Sequence, residues 1–357
     1  MPTLFDNFRS TSLKTSNRLV MAPMTRSRAT TSGIPSDSTK TYYVQRASAG
    51  LIISEGIQPS LQGQSNPLTP GLVNDAQVDA WKPITAAVHE KGGKIFAQIM
   101  HGGRVGHPDV VGFQPVAPSA ITPEIRVFTG QGMQSPPVPT ALTSEGITEQ
   151  IGAYANASRL AIRAGFDGVE LHGANGYLIQ QFLSSNSNQR TDQYGGSVNN
   201  RIRFALEAVQ AAASAVGADK VAIRLSPGSP IWDINETDVQ EMYSALLTAL
   251  SDMGLAYLHM TTTGGEDTVE ALLRSWKGTL MVNPVNLQDP DKPAGSLDAQ
   301  RWLDKGADLV SLGRHFIANP DLVERIQQGL PLAQADPATM YGGGDNGYVT
   351  YPSYAHA

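Results

Sequence analysis

The chain has 357 residues, 41% of them hydrophobic and 16% charged, with a formal net charge of −6 and no cysteine. This composition describes an ordinary globule. Without clustered Lys and Arg it argues against a nucleic-acid partner, and without cysteine any redox chemistry needs a carrier other than a disulfide or a thiolate-held cluster. No metal site or membrane span is expected. Met1–Asp6 lacks a basic patch followed by an apolar run, so a cytoplasmic protein without a secretory leader is the expectation.

Short apolar runs alternate with polar loops and amphipathic stretches, the pattern of parallel strands joined by crossover helices. In chain order the strand candidates are residues 18–22, 51–54, 94–99, 168–171, 221–225, 257–260, 279–282 and 308–312. The helix candidates are 36–49, 75–91, 144–164, 201–216, 236–253, 269–276, 297–305 and 320–329. Eight such units close a barrel. The expected fold is therefore α/β: one eight-stranded (β/α) TIM barrel, with residues 1–357 as a single domain. Ser144 and Ile147 mark one helix start, and Gly165 stands where a left-handed C-cap is expected.

The rhythm breaks once, between Arg104 and Thr143, a stretch rich in Pro, Gly and Ser that includes Pro136-Pro137-Val138-Pro139. A loop this long in a compact fold covers a site or lacks structure. Because it leaves the third strand on the rim where barrel enzymes act, it reads as a capping insertion with a hairpin. The tail after Pro331, carrying Tyr341-Gly342-Gly343-Gly344, is too glycine-rich for a helix and is expected to fold back over the barrel.

The densest chemistry follows the fourth strand. His172, Asn175 and Tyr177 are three hydrogen-bond donors within six residues, with Gly173 and Gly176 letting the backbone turn between them. Each alone has a plain structural reading, as a cap or a satisfied loop residue. Together, beyond a barrel strand, they form a group that can grip one oxygen and protonate a neighbouring atom.

Other strand ends add to it. Pro23, Met24 and Thr25 follow the first strand, where a hydroxyl beside a stiff backbone can contact a flat polar ring; a self-satisfied turn is the plainer alternative. Gln98 on the third strand offers an amide that complements a pyrimidine edge, or else serves the sheet. Arg224, between Ile223 and Leu225, is costly facing inward unless it meets an anion or an electron-rich oxygen. After the eighth strand, Gly313 and Arg314 stand where barrels bind phosphate, while Asn319-Pro320 reads as an ordinary helix start. A ring near Thr25, Gln98 and Arg224 with a phosphate near Gly313 and Arg314 outlines flavin mononucleotide. A Rossmann G-x-G-x-x-G after a strand is absent from the sequence.

Four separated motifs resemble the Old Yellow Enzyme family of flavin-dependent ene-reductases over nearly the whole chain. They are Asn17–Arg26, Ala97–Arg104, the stretch from Gly168 through Asp192-Gln193-Tyr194-Gly195-Gly196-Ser197, and Gly313-Arg314 with Asn319-Pro320-Asp321-Leu322. The resemblance implies that Thr25, Gln98 and the Gly56 backbone contact the flavin ring, that Arg224 lies against its N1–O2 edge, and that Gly313 and Arg314 hold its phosphate. It also implies that His172 and Asn175 bind the substrate oxygen and that Tyr177 donates the proton. Three departures bear on this. Asn66 and Met100 stand where relatives often carry aromatic residues, and Asn283-Pro284-Val285-Asn286 replaces a glycine-richer segment near the phosphate, with Pro284 lacking an N–H.

The expected activity is an FMN-dependent oxidoreductase using NADPH or NADH to reduce electron-poor alkenes such as enones and maleimides, with nitro compounds and nitrate esters as further substrates. A monomer or homodimer is expected. Two rivals are a hydrolase using Glu55 and Glu170, which would be colourless, and a barrel that binds a flavin or phosphate ligand without turnover.

Overall fold

The computed structural model describes residues 1–286, 288–289 and 292–354. Eight parallel strands close a barrel: β1 (Leu19–Met21), β2 (Leu51–Ile57), β3 (Ile95–Ile99), β4 (Gly168–Gly173), β5 (Val221–Leu225), β6 (Tyr257–Thr261), β7 (Leu280–Asn283) and β8 (Leu309–Leu312). All eight expected strands form, most of them shifted by a residue or two at an end. Apart from Asn283 at the open end of β7, each strand is buried along its length because the outer face meets helices and the inner face meets the other strands. This is the TIM-barrel architecture with a long cover after β3.

Side chains alternate across each strand, so inward positions recur every second residue. At the N-terminal end they are apolar: Val20, Leu51, Phe96, Ala222, Tyr257, Met281 and Leu309 form one cluster. The chain plugs that end with its own antiparallel hairpin, Phe8–Arg9 against Lys14–Thr15, whose Phe8 and Leu13 join the cluster. Gly168 belongs here for a steric reason, since a Cβ on it would lie 2.4 Å from the Phe96 ring. Two residues further on, the inward positions turn polar: Gln98, Glu170, Arg224, His259 and Ser311, all buried.

The main crossover helices are α1 (Asp37–Val44), α2 (Asp75–Glu90), α3 (Ser144–Arg163), α4 (Arg203–Val216), α5 (Val239–Ser251), α6 (Glu266–Leu272), α7 (Ser296–Asp304) and α8 (Leu322–Gln328). Some ends differ from expectation for identifiable reasons. Thr143, not Ser144, caps α3, accepting from the Gly146 N–H at 3.1 Å. Glu236 is not in α5, because its carboxylate turns back to accept from the Gly228 N–H at 2.8 Å and from the Tyr243 hydroxyl at 2.8 Å. Asn319 does not start α8. Its amide donates to the carbonyls of His315 at 2.8 Å and Ala333 at 3.0 Å, tying the last strand's loop to the tail. Gly165 follows α3 with φ +90, as expected of the residue that turns the chain out of a helix.

The insertion is ordered. Val127–Thr129 and Gly132–Gln134 form the hairpin, and Val116–Ala117 pairs in parallel with Thr140–Ala141 at its base. The tail does fold back, held by two arginines after β1: Arg28 donates to the carbonyls of Thr339, Met340, Gly344 and Asn346, and Arg26 to those of Met340 and Gly347. Among the described residues no helix is long and apolar enough to cross a membrane.

Candidate active site

Parallel pairing sets the site's geometry. The register places Glu170 opposite Gln98 and Ala222, and His172 beside Arg224. Beyond His172 the chain must reverse tightly. Asn175 takes φ +54, a conformation Asn tolerates, and Gly176 follows at +76, where a Cβ would also lie 2.4 Å from the Ile231 carbonyl oxygen. Ser226 accepts from the Asn175 N–H at 2.8 Å, and Gln180 accepts from the Gly176 N–H at 2.8 Å. Tyr177 then opens the short helix Leu178–Leu183 with its own side chain left out of the capping.

The expected trio comes together. The rings of His172 and Tyr177 lie 5.1 Å apart between centroids, both residues are buried, and Asn175 is half-buried beside them. Burial, reinforced by the charge of Arg224, holds the His172 imidazole well below its ordinary pKa, so it is neutral near pH 7. Burial pushes the Tyr177 phenol up, against the opposing influence of Trp232, Asn66 and Ser65. The phenol therefore keeps its proton at any physiological pH.

Of the expected ring and phosphate contacts, Pro23, Met24, Arg224, Gly313 and Arg314 line one cavity of about 300 Å³, together with Asn175 and Asn283. Thr25, Gly56 and Gln98 lie outside that lining. Thr25 is half-buried, Gln98 is buried, and Gly56 packs so closely under Met100 that a Cβ would fall 2.7 Å from its sulfur. Gln98 uses its Nε2 to donate to Glu170 at 2.8 Å. Arg224 donates from Nη2 to Asn283 Oδ1 at 2.7 Å, while its Nε and the Nδ1 of His172 are buried without a partner. Buried polar atoms of this kind are normally satisfied, and a ligand bearing several acceptor oxygens in the adjoining cavity is what these two fit.

Asn283 gives the departing Asn-Pro-Val-Asn segment a definite task, since it also donates to the Ser311 carbonyl at 2.9 Å and so ties β5, β7 and β8 together. The neighbouring Val285 N–H is used by Thr262 at 2.9 Å. Leu287, four residues after Asn283, lies outside the described residues, as do Pro290 and Asp291.

The expected capping insertion supplies part of the wall of the site, through residues that the sequence did not single out. Met100, Val105, Val127 and Tyr177 form a separate apolar cluster, with Ile125 and Trp232 packed against it. Three of these residues come from the capping insertion, which therefore contributes to the mouth. Trp232 has φ +58, unusual for a bulky residue, Asp233 follows at +61, and Arg104 and Asn186 clamp the turn by donating to the Asp233 carbonyl at 2.7 Å each. A tryptophan in a proline-rich rim loop just after the Arg224 strand was the available signal. The hydrolase rival loses its acids: Glu170 and Glu55 are 0% and 3% exposed, Glu170 bonded by side chains through both oxygens and Glu55 by two backbone N–H groups through one.

Comparison with known proteins agrees with this geometry. Residues 3–333 match the model of the NADH:flavin oxidoreductase / NADH oxidase family. The Old Yellow Enzyme homologue from Zymomonas mobilis superposes with a TM-score of 0.93 at 40% identity, covering 98% of this chain and 99% of that one. Morphinone reductase in complex with tetrahydroNAD does so with a TM-score of 0.92 at 42% identity, over 99% and 98% of the two chains. A probable flavin mononucleotide-dependent alkene reductase from Leishmania infantum is 40% identical over 351 residues, 94% of this chain and 93% of that protein. The chain belongs to the NADH:flavin oxidoreductase / NADH oxidase family, and within it to the Old Yellow Enzymes, FMN-dependent reductases of activated carbon–carbon double bonds.

Proposed function

We propose that this chain holds FMN with Gln98 and Arg224 at the pyrimidine edge of the ring, Pro23, Met24, Thr25 and Gly56 along its flank, and Gly313 and Arg314 at the phosphate. Bound there, FMN would supply the redox chemistry, carrying two electrons from NADPH or NADH to the β-carbon of an electron-poor alkene as a hydride. The side chains do the rest. His172, held neutral, and Asn175 donate to the carbonyl oxygen of an enone or maleimide and stabilise the negative charge that develops on it. Tyr177 releases its proton to the α-carbon, and the raised phenol pKa keeps that proton available. The apolar wall of Met100, Val127 and Trp232 excludes water from the same space.

The observation that carries this reading is the pair of buried, unpartnered nitrogens on Arg224 and His172, on paired positions of adjacent strands at one mouth. The complex of morphinone reductase with tetrahydroNAD supports a nicotinamide donor. Nitro compounds and nitrate esters suit the same two oxygen-binding donors and do not need Tyr177. The reading extends to a cytoplasmic monomer or homodimer, which fractionation and sedimentation would check.

The test is spectroscopic. The purified protein should be yellow, bleach with NADPH in the absence of oxygen, and recover on adding 2-cyclohexenone. A protein that neither carries nor takes up FMN sinks the proposal. A preorganised donor is worth about 3 kcal/mol, so His172→Ala should lower enone turnover roughly a hundredfold. Tyr177→Phe should slow reoxidation by the alkene and spare reduction by NADPH; stopped-flow traces with both halves slowed alike would contradict its role.

A further inference from the structure

The polar layer inside the barrel, directly below the mouth, has a central residue that the roles above leave unused. Glu170 is fully buried, and its two oxygens are taken by different partners: Oε1 accepts from Gln98 Nε2 at 2.8 Å, and Oε2 pairs with His259 Nδ1 at 2.9 Å. His259, also fully buried, reaches Ser311 Oγ at 2.8 Å through its other nitrogen. We infer that Glu170 is a positioning residue for the flavin, fixing which way the Gln98 amide faces and balancing the charge of Arg224.

The inference rests on the FMN reading above and follows from the bonding. An ionised carboxylate only accepts, so Glu170 can bind Gln98 only through its NH₂ group. That turns the Gln98 carbonyl oxygen away from Glu170, free to accept from an N–H on the pyrimidine edge. Without Glu170 the amide could present either face. The charge argument is independent of this one. Arg224 is a permanent cation on the neighbouring strand, and a lone cation at the pyrimidine edge would favour the anionic, reduced flavin over the neutral, oxidised one. Glu170 cancels much of that field. His259 adds no charge: its pKa is lowered by burial and by Arg224, more than Glu170 raises it, so the neutral ring donates to Glu170 from Nδ1 and accepts from the Ser311 hydroxyl at Nε2. Burial raises the Glu170 pKa, but His259, Arg224 and Gln98 together bring it below the ordinary value and keep the carboxylate ionised. The Tyr257 phenol, in the apolar layer two residues before His259, is pushed well up and stays neutral.

The test is the reduction potential of bound FMN, measured by anaerobic dye equilibration in the holoenzyme. Glu170→Gln removes the charge and keeps the shape. It should favour the reduced flavin at least tenfold, a rise of about 30 mV for a two-electron couple. A yellow, folded Glu170→Gln protein with the wild-type potential overturns the inference while leaving the FMN reading intact; a wild-type protein that takes up no FMN defeats that reading itself. His259→Gln keeps a neutral hydrogen-bonding group and should leave the potential within about threefold of wild type; a tenfold shift would place the charge on the imidazole and also overturn the inference. If Glu170→Gln does not fold, Glu170→Asp carries the test. Its shorter carboxylate withdraws from Gln98, so FMN affinity should fall about tenfold, and unchanged affinity would count against Glu170 as the residue that sets the amide.

Discussion

Two parts of this barrel each bury a carboxylate and treat it in opposite ways. Glu170 sits in the interior layer, where His259, Arg224 and Gln98 outweigh the burial that raises its pKa and hold it below its ordinary value. Glu55, at the end of β2 under the tail, is as deeply buried, yet burial wins and its pKa rises to about 7 despite the N–H groups of Arg26 and Ser27 and the charges of Arg26 and Arg28. Cations stand near both. The difference lies in the hydrogen bonds: at Glu170 the side chains of Gln98 and His259 each bind one oxygen while Arg224, turned to Asn283, acts through its charge alone. At Glu55 the arginine side chains are turned to tail carbonyls: Arg28 donates to Gly344 O at 2.7 Å and Thr339 O at 2.8 Å, Arg26 to Gly347 O at 2.8 Å, and only the backbone N–H groups of Arg26 and Ser27 reach the carboxylate, at 3.0 and 3.3 Å. Proximity of opposite charge does not keep a buried acid ionised unless hydrogen bonds to it offset desolvation.

The sharpest break of this comparison is Arg224→Met. It removes the cation whose charge helps hold Glu170 ionised, without breaking a direct bond, and leaving a buried carboxylate less compensated costs on the order of 3 kcal/mol. Denaturant melts should show that loss along with loss of yellow colour. A stability within about 1 kcal/mol of wild type would mean that His259 and Gln98 alone suffice, in which case the interior layer does not depend on its cation.

Next is the pH dependence set by Glu55. Its folded pKa lies above the unfolded value of 4.5, so the folded protein binds the proton more tightly. The resulting stability is present in full below pH 4.5 and is lost as pH rises through about 7. A shift of that size corresponds to roughly 3 kcal/mol. Thermal melts across this range should show the slope in wild type and a flatter profile in Glu55→Gln; parallel profiles would show that the carboxyl already ionises at its ordinary pKa.

The smallest effect is expected from Arg28→Ala. It frees the tail carbonyls of Thr339, Gly344 and Asn346, that of Met340 keeping Arg26, and also withdraws one of the charges near Glu55. A cost of about 1–3 kcal/mol follows. Limited proteolysis within the 342–347 glycine run should quicken before the barrel itself is cut, and the Glu55 slope should move to higher pH.

Much of the architecture was legible from the residues. The eight strands stand out because fully buried parallel strands read as short apolar runs between turn signals, and the hairpin in the insertion could be expected from its place and composition. His172, Asn175 and Tyr177 could be grouped because they share one short turn. The missed features all depend on distant partners. Glu170 looks like a rim acid until the strand register places it one layer down, bonded to Gln98 and His259, 72 and 89 residues away in the chain. Asn319 and Glu236 look like helix-start residues until the tail and the Gly228 loop offer them other partners. Trp232 looks like an ordinary loop residue until Arg104 holds its turn.

By itself the sequence determined the barrel, its polar mouth and the kind of chemistry placed there, because strand periodicity, turn residues and donor clusters act over a few neighbouring positions. Only the tertiary structure decided which buried acid stays charged, which face Gln98 presents and what forms the apolar wall. Those outcomes depend on desolvation and on bonds between strands far apart in the chain, and both exist only once the barrel has closed.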